Sequence, residues 1–163
     1  MKLLSKTLLC AYLLVLLWLT LFKLSFDIYS ILLHHQTRSL NLVPFADYSR
    51  DGLREMVANL VVFIPFGVLL GVELKQVSFG RKLALVCMFS LAVEAVQFAF
   101  SIGVTDISDV IANTSGGLVG LVLYDAAKKL FNNKRLDDLV VVSGMVLLVA
   151  LVLYRILILQ VRY

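Results

Sequence analysis

The chain of 163 residues is 61% hydrophobic, has a mean hydropathy of +0.95 and carries a formal charge of +4. Its apolar runs are too long and too numerous for a soluble core of this size, which excludes an ordinary soluble domain and points to a polytopic membrane protein. The basic residues sit in connecting segments and build no aromatic-interleaved basic face, so no nucleic-acid partner is expected.

Five stretches are long and apolar enough to cross a membrane as helices: Leu8–Leu24, Val57–Val72, Leu83–Ile102, Ile107–Tyr124 and Leu139–Leu159. Residues 1–163 are therefore expected to form a single all-α transmembrane domain of about five spans. Lys2 and Lys6 ahead of the first span resemble the start of a signal peptide, but no small-x-small cleavage site follows Phe22. An uncleaved first span is expected. With the N-terminus in the cytoplasm, nine Lys and Arg residues fall inside, including Lys75, Arg81, Lys82 and Lys128, against six outside. That bias predicts an N-in, C-out topology. Cys10 and Cys87 lie within spans, where a small apolar side chain suffices, and both are read as packing residues.

Between the first two spans, Ser25–Leu53 is too apolar to float free in water, since it holds Phe26, Ile28, Tyr29, Ile31, Leu32 and Leu33. A short interfacial or re-entrant helix is expected there. His34 and His35 are adjacent and would point about 100° apart on a helix, poor geometry for a shared metal, so they read as surface histidines at headgroup level. Pro44 biases Val43 to an extended conformation and halts any helix.

In the second span Glu55, Asn59, Phe63, Phe66 and Leu70 share a face, while Pro65, Gly67 and Gly71 bend or thin the helix. The third span places Ser90, Glu94, Gln97 and Ser101 on one face. A carboxylate at the centre of a span costs about 2.5–3.5 kcal/mol when it faces lipid, so Glu94 should face the bundle, paired or protonated. Its plainest role would be to join two helices by a hydrogen bond, but such contacts contribute less than about 1 kcal/mol and apolar residues would serve.

The fourth span opens Asp106-Ile107-Ser108-Asp109 and continues through Asn113 to Gly116, Gly117 and Gly120. At about 100° per residue, Asp106, Asp109, Asn113 and the glycines fall within one arc of roughly a third of the circle. Asp106 is a natural N-cap with Asp109 completing a capping-box-like pair, and the glycines suit a close helix approach. Capping does not account for Asn113, about 10 Å along the helix. By helical rise, Asn59, Gln97, Glu94 and Asn113 all lie within about two turns of the outer end. The first and last spans offer little that is polar and read as scaffolding.

Asn41-Leu42-x-Pro44-Phe45, Asn59-x-x-x-Phe63-x-Pro65-Phe66-Gly67, Glu94-x-x-Gln97 and Asp106-x-x-Asp109-x-x-x-Asn113-x-x-Gly116-Gly117 occur in this order. In that order and spacing the chain resembles the VanZ-like family nearly from end to end. The resemblance implies a small bacterial cytoplasmic-membrane protein whose presence lowers susceptibility to lipoglycopeptides such as teicoplanin. Carried over residue by residue, it implies a functional set of Asn59, Glu94, Gln97, Asp106, Asp109 and Asn113.

Three mechanisms compete. An outward-facing pocket, with Arg38, Arg50 and Arg54 in its roof, would bind an envelope lipid, a lipid-linked cell-wall precursor or the antibiotic, taking an acyl tail between spans and the head on polar groups. Alternatively, Asp106, Asp109 and Glu94 would serve an enzyme that modifies an envelope lipid or precursor, with the Asp-x-x-Asp pair holding Mg²⁺. Against this stand the lack of a Ser-His-Asp order, a cysteine nucleophile or a dense phosphate clamp, so no cofactor or metal is expected. Ion relay through Glu94 is the third, weakened by the lack of an internal repeat unless a homo-oligomer forms through the Gly116/Gly120 ridge.

Overall fold

The computed structural model describes residues 2–21, 39–45, 49–101 and 104–161. Five helices follow in order: α1 (Lys2–Leu21), α2 (Arg50–Glu73), α3 (Phe79–Phe100), α4 (Ile107–Leu130) and α5 (Asn133–Val161). Helices α1 to α4 are each long and apolar enough to cross a membrane, which makes the protein a helical, polytopic membrane protein.

Several helices outrun the apolar stretches that announce them, because polar caps extend them past the hydrocarbon-compatible part. Ser49 caps α2, its Oγ accepting from the Gly52 N–H at 3.0 Å, so the helix begins at Arg50, ahead of Val57. At the end of α3, Ser101 turns left-handed at φ 55 and its N–H returns to the carbonyls of Gln97 and Phe98.

A short parallel ladder interrupts the all-helical expectation. Strand β1 (Ser39–Asn41) pairs with β2 (Val104–Asp106), with Ser39 opposite Val104, Leu40 opposite Thr105 and Asn41 opposite Asp106. The pairing supplies partners for backbone groups of the α3–α4 connection, which no helix satisfies. The extended course toward Pro44 that favours β1 was legible; its partner was not. Most of Ser25–Leu53, including the interfacial or re-entrant helix expected there, His34, His35 and Arg38, lies outside the described residues.

Helices α2 and α4 pack backbone against backbone. A Cβ on Gly116 would collide with the Leu60 carbonyl oxygen, one on Gly120 with the Ile64 carbonyl oxygen, and one on Gly67 with the Gly117 carbonyl oxygen. The contacts advance together along both helices, so α2 and α4 run parallel. The glycine ridge expected on α4 is therefore consumed within the chain by α2, and it is not open as a seam between two copies. Beside this seam Phe63, Phe66 and Phe89 form an aromatic cluster with centroids 5.2–6.2 Å apart.

Helix α1 does more than scaffold. Tyr12 Oη donates to the Val62 carbonyl at 2.6 Å, beside the Val61 carbonyl whose helical donor is missing at Pro65. The C-terminal end of α1, the N-termini of α2 and α4, and the C-terminus of α3 meet at the ladder, which becomes the polar end of the bundle. Cys10 is exposed and Cys87 half-buried, and both are free thiols.

The seam has a direct test. Gly120→Val should destabilise the protein in detergent by about 1–3 kcal/mol or more, since the carbonyl it meets cannot move without breaking α2. Gly80→Ala, whose Cβ would meet nothing within 4 Å, should leave the thermal transition where it is. Equal transitions for the two variants would contradict the backbone contact.

Candidate functional site

The site is assembled at the N-terminus of α4. Asp106 is its N-cap: Oδ1 accepts from the Ser108 N–H at 2.7 Å, satisfying a donor that the helix leaves open. Its other oxygen, Oδ2, accepts from Asn41 Nδ2 at 2.9 Å, and this contact ties β1 to the cap. Asn41 Oδ1 in turn accepts from the Val43 N–H at 3.1 Å. The Phe45 N–H donates to Ser108 Oγ at 2.9 Å, holding Phe45 in a left-handed conformation, φ 58, that a bulky residue adopts only when its surroundings demand it.

Glu94 supplies what a capping box would have taken from Asp109. The N–H of Asp106 donates to Glu94 Oε2 at 3.2 Å, from the neighbouring helix α3, and Thr105 Oγ1 donates to the Glu94 carbonyl at 3.4 Å. Asp109 instead faces α2, where Asn59 Nδ2 donates to its Oδ1 at 2.8 Å. Both carboxylates sit at the positive end of the α4 macrodipole or reach toward it.

One turn deeper, Asn113 Nδ2 donates to Ser90 Oγ at 2.8 Å; one turn nearer the end of α3 than Glu94, Gln97 Nε2 donates to the Thr20 carbonyl of α1 at 3.1 Å. Glu94, Gln97, Asp109 and Asn113 are 5%, 2%, 8% and 1% exposed, so the cluster is enclosed by helices. The oxygens of both amides, Gln97 Oε1 and Asn113 Oδ1, and the buried Thr114 Oγ1 accept no hydrogen bond. A buried, unmatched polar atom costs about 1–3 kcal/mol, and nature seldom retains one without use.

The structure thus brings six residues singled out from the sequence to one place: Asn59, Glu94, Gln97, Asp106, Asp109 and Asn113. Arg54 does not join them. It pairs with Asp51 at 3.3 Å in an i,i+3 contact where both side chains are almost wholly exposed, a pair of little energetic value. Arg38 lies outside the described residues. Sequence reasoning missed Asn41, Ser108 and Thr20 as members. Asn41 stood in the Asn-x-x-Pro motif, which was a usable signal; Thr20 contributes a backbone carbonyl, for which no side chain gives notice. Among the described residues no three His, Cys, Asp or Glu side chains group as a metal-binding set.

Residues 9–131, which contain the whole cluster, match the VanZ/LLP1 family. The chain belongs to that family. It is 49% identical over 154 residues to Protein VanZ of Enterococcus faecium, a match covering 94% of each chain. No solved structure matches it. The motif resemblance drawn from Asn41, Pro65, Glu94, Asp109 and Asn113 is thereby borne out at the level of the family.

The double duty of Asp106 can be separated by substitution. Asp106→Ala should lower stability by about 1–2 kcal/mol, the usual worth of an N-cap, and should free Ser39–Phe45 to proteolysis. Asp106→Asn keeps a competent cap and should retain most of the stability. Identical thermal transitions and identical cleavage patterns for both variants would contradict the cap and its tie to β1.

Proposed function

We propose that this protein is a VanZ-type resistance protein of the bacterial cytoplasmic membrane, acting through a polar pocket open to the outside. In this reading the pocket binds an envelope lipid or the lipoglycopeptide itself and lowers antibiotic binding at the cell surface. The orientation is N-in, as the distribution of Lys and Arg favours, and α5 with its Leu139–Leu159 stretch is a fifth crossing.

The observation that carries the reading is the pair of enclosed amide oxygens, Gln97 Oε1 and Asn113 Oδ1, which no protein donor matches, beside the carboxylates of Glu94 and Asp109. A ligand with hydroxyl, amide or ammonium hydrogens that reached them would meet two unmatched acceptors. Sugar hydroxyls, peptide amides and lipid amines all qualify.

The enzymatic alternative, with Asp106, Asp109 and Glu94 as catalytic groups, loses ground on one point. Both carboxylate oxygens of Asp106 are committed to neutral donors of the protein, in the geometry of a cap. A binding role needs nothing more of Asp106 than to hold the site's shape.

Cells expressing the protein should bind less labelled teicoplanin, with unchanged envelope lipids and peptidoglycan precursors by mass spectrometry. Asp109→Asn, at normal membrane levels, should lose only part of the resistance, because an amide still accepts from Asn59. A lipid or precursor species that appears with the wild-type protein and vanishes with Asp109→Asn would overturn the binding reading in favour of catalysis.

A further inference from the structure

Helices α1, α2 and α5 surround two neighbouring cavities, the first of them at the end of the bundle away from the polar cluster. The first, of 670 Å³, is lined by Lys6, Glu73, Lys75, Lys134, Asp137 and Asp138. Lys75 and Asp137 form an ion pair, and Tyr124 Oη donates to the second Asp137 oxygen at 2.7 Å, so these two charges are already answered. Lys6 and Lys134 remain as cations, and Glu73 and Asp138 as anions, with no ion pair among the described residues.

The second cavity, of 380 Å³, is apolar and continues along the same three helices, with Leu8, Leu19, Pro65, Val68, Gly144 and Leu147 in its walls. From Leu8 to Leu19 it follows α1 for eleven residues, which at about 1.5 Å each is about 16 Å. That is about half of the roughly 30 Å hydrocarbon thickness of a bilayer, or the depth of one leaflet. Val72 and Val141 line the first cavity and Leu8 and Leu69 the second, and these four side chains pack in one buried cluster where the charged ends of the helices give way to their apolar bodies.

We infer that α1, α2 and α5 form a binding site for one phospholipid of the leaflet on the side of the chain's N-terminus, its head zwitterionic. The phosphate lies against Lys6 and Lys134, the ammonium against Glu73 and Asp138, and an acyl chain occupies the groove beneath. Equal numbers of uncommitted cations and anions match a head that carries both signs better than a purely anionic one, which would leave Glu73 and Asp138 opposed to it. The groove starts two residues past Lys6 on α1, and its length suits an acyl tail entering from that end. The charged cavity lies at the other end of the bundle from the polar cluster, and the inference stands whether or not that cluster binds the antibiotic.

Native mass spectrometry of the full chain in mild detergent tests it, with phosphatidylethanolamine and phosphatidylglycerol of identical acyl chains as probes. Phosphatidylethanolamine adducts should exceed phosphatidylglycerol adducts several-fold. Leu147→Trp, which fills the groove from an exposed position, and the paired Lys6→Glu and Lys134→Glu variant should each reduce the adducts several-fold. Leu123→Trp, exposed on α4 and outside both cavities, should leave them unchanged. Excess glycerophosphoethanolamine, a head without tails, should compete poorly. Equal retention of both lipids, adducts untouched by the groove and lysine variants, or full displacement by the tail-free head would overturn the inference.

Discussion

The Leu60 and Ile64 carbonyl oxygens rest against the Cα atoms of Gly116 and Gly120, and the polar end of the bundle is built around how close that brings α2 to α4. In lipid, helices gain nothing from burying apolar surface against each other, so association rests on van der Waals fit and on polar contacts between them. Glycines supply the fit by letting main chains touch. The same contact fixes the two helices in register and places Asn59 of α2 within hydrogen-bonding reach of Asp109 on α4. A side chain on either glycine would push the helices apart and leave a carboxylate and an amide facing one another across a gap.

Around this seam the cost of polarity inside a membrane is met by location. The cluster sits where four helices end, so its carboxylates face open helix N–H groups and amides in place of hydrocarbon. Asp106 closes the N-terminus of α4, Glu94 receives the N–H of the capping residue from a different helix, and Asn41 anchors the incoming strand. Most of these groups are thus structural and chemical at once: they hold the helix ends together and shape the enclosure. Gln97 and Asn113 differ from the rest, since each spends its amide N–H on the protein and keeps its oxygen unmatched. In the proposed reading these two oxygens are the ones a ligand would meet.

Helical periodicity alone located the acid, amide and glycine face of α4, the Glu94 and Gln97 face of α3 and the N-cap role of Asp106, because each is a local property of one helix. Contacts that join distant segments were illegible. The pairing of Asn41 with Asp106 spans 65 residues and rests on a parallel strand register that no short pattern announces. Gln97 meets a backbone carbonyl at Thr20, which leaves no mark in the sequence. Arg54 was drawn toward the site by its position in the chain, yet its guanidinium turns to Asp51, three residues back and equally exposed. Periodicity marked the glycine ridge as a close-approach face but left its partner, α2 of the same chain, open, since spacing shows that a helix is thin on one side and is silent on what lies against it.

The proposed function requires the polar cluster to face the outside of the cell, and thiol accessibility in intact cells measures this most directly. In a background with Cys10 and Cys87 replaced by Ala, Leu42→Cys, exposed beside the cluster, should react with a membrane-impermeant maleimide. Gln76→Cys, in the hairpin between α2 and α3, should react only after permeabilisation. The reverse pattern, with Gln76→Cys labelled in intact cells and Leu42→Cys protected, would put the cluster on the cytoplasmic side and contradict a surface-facing pocket.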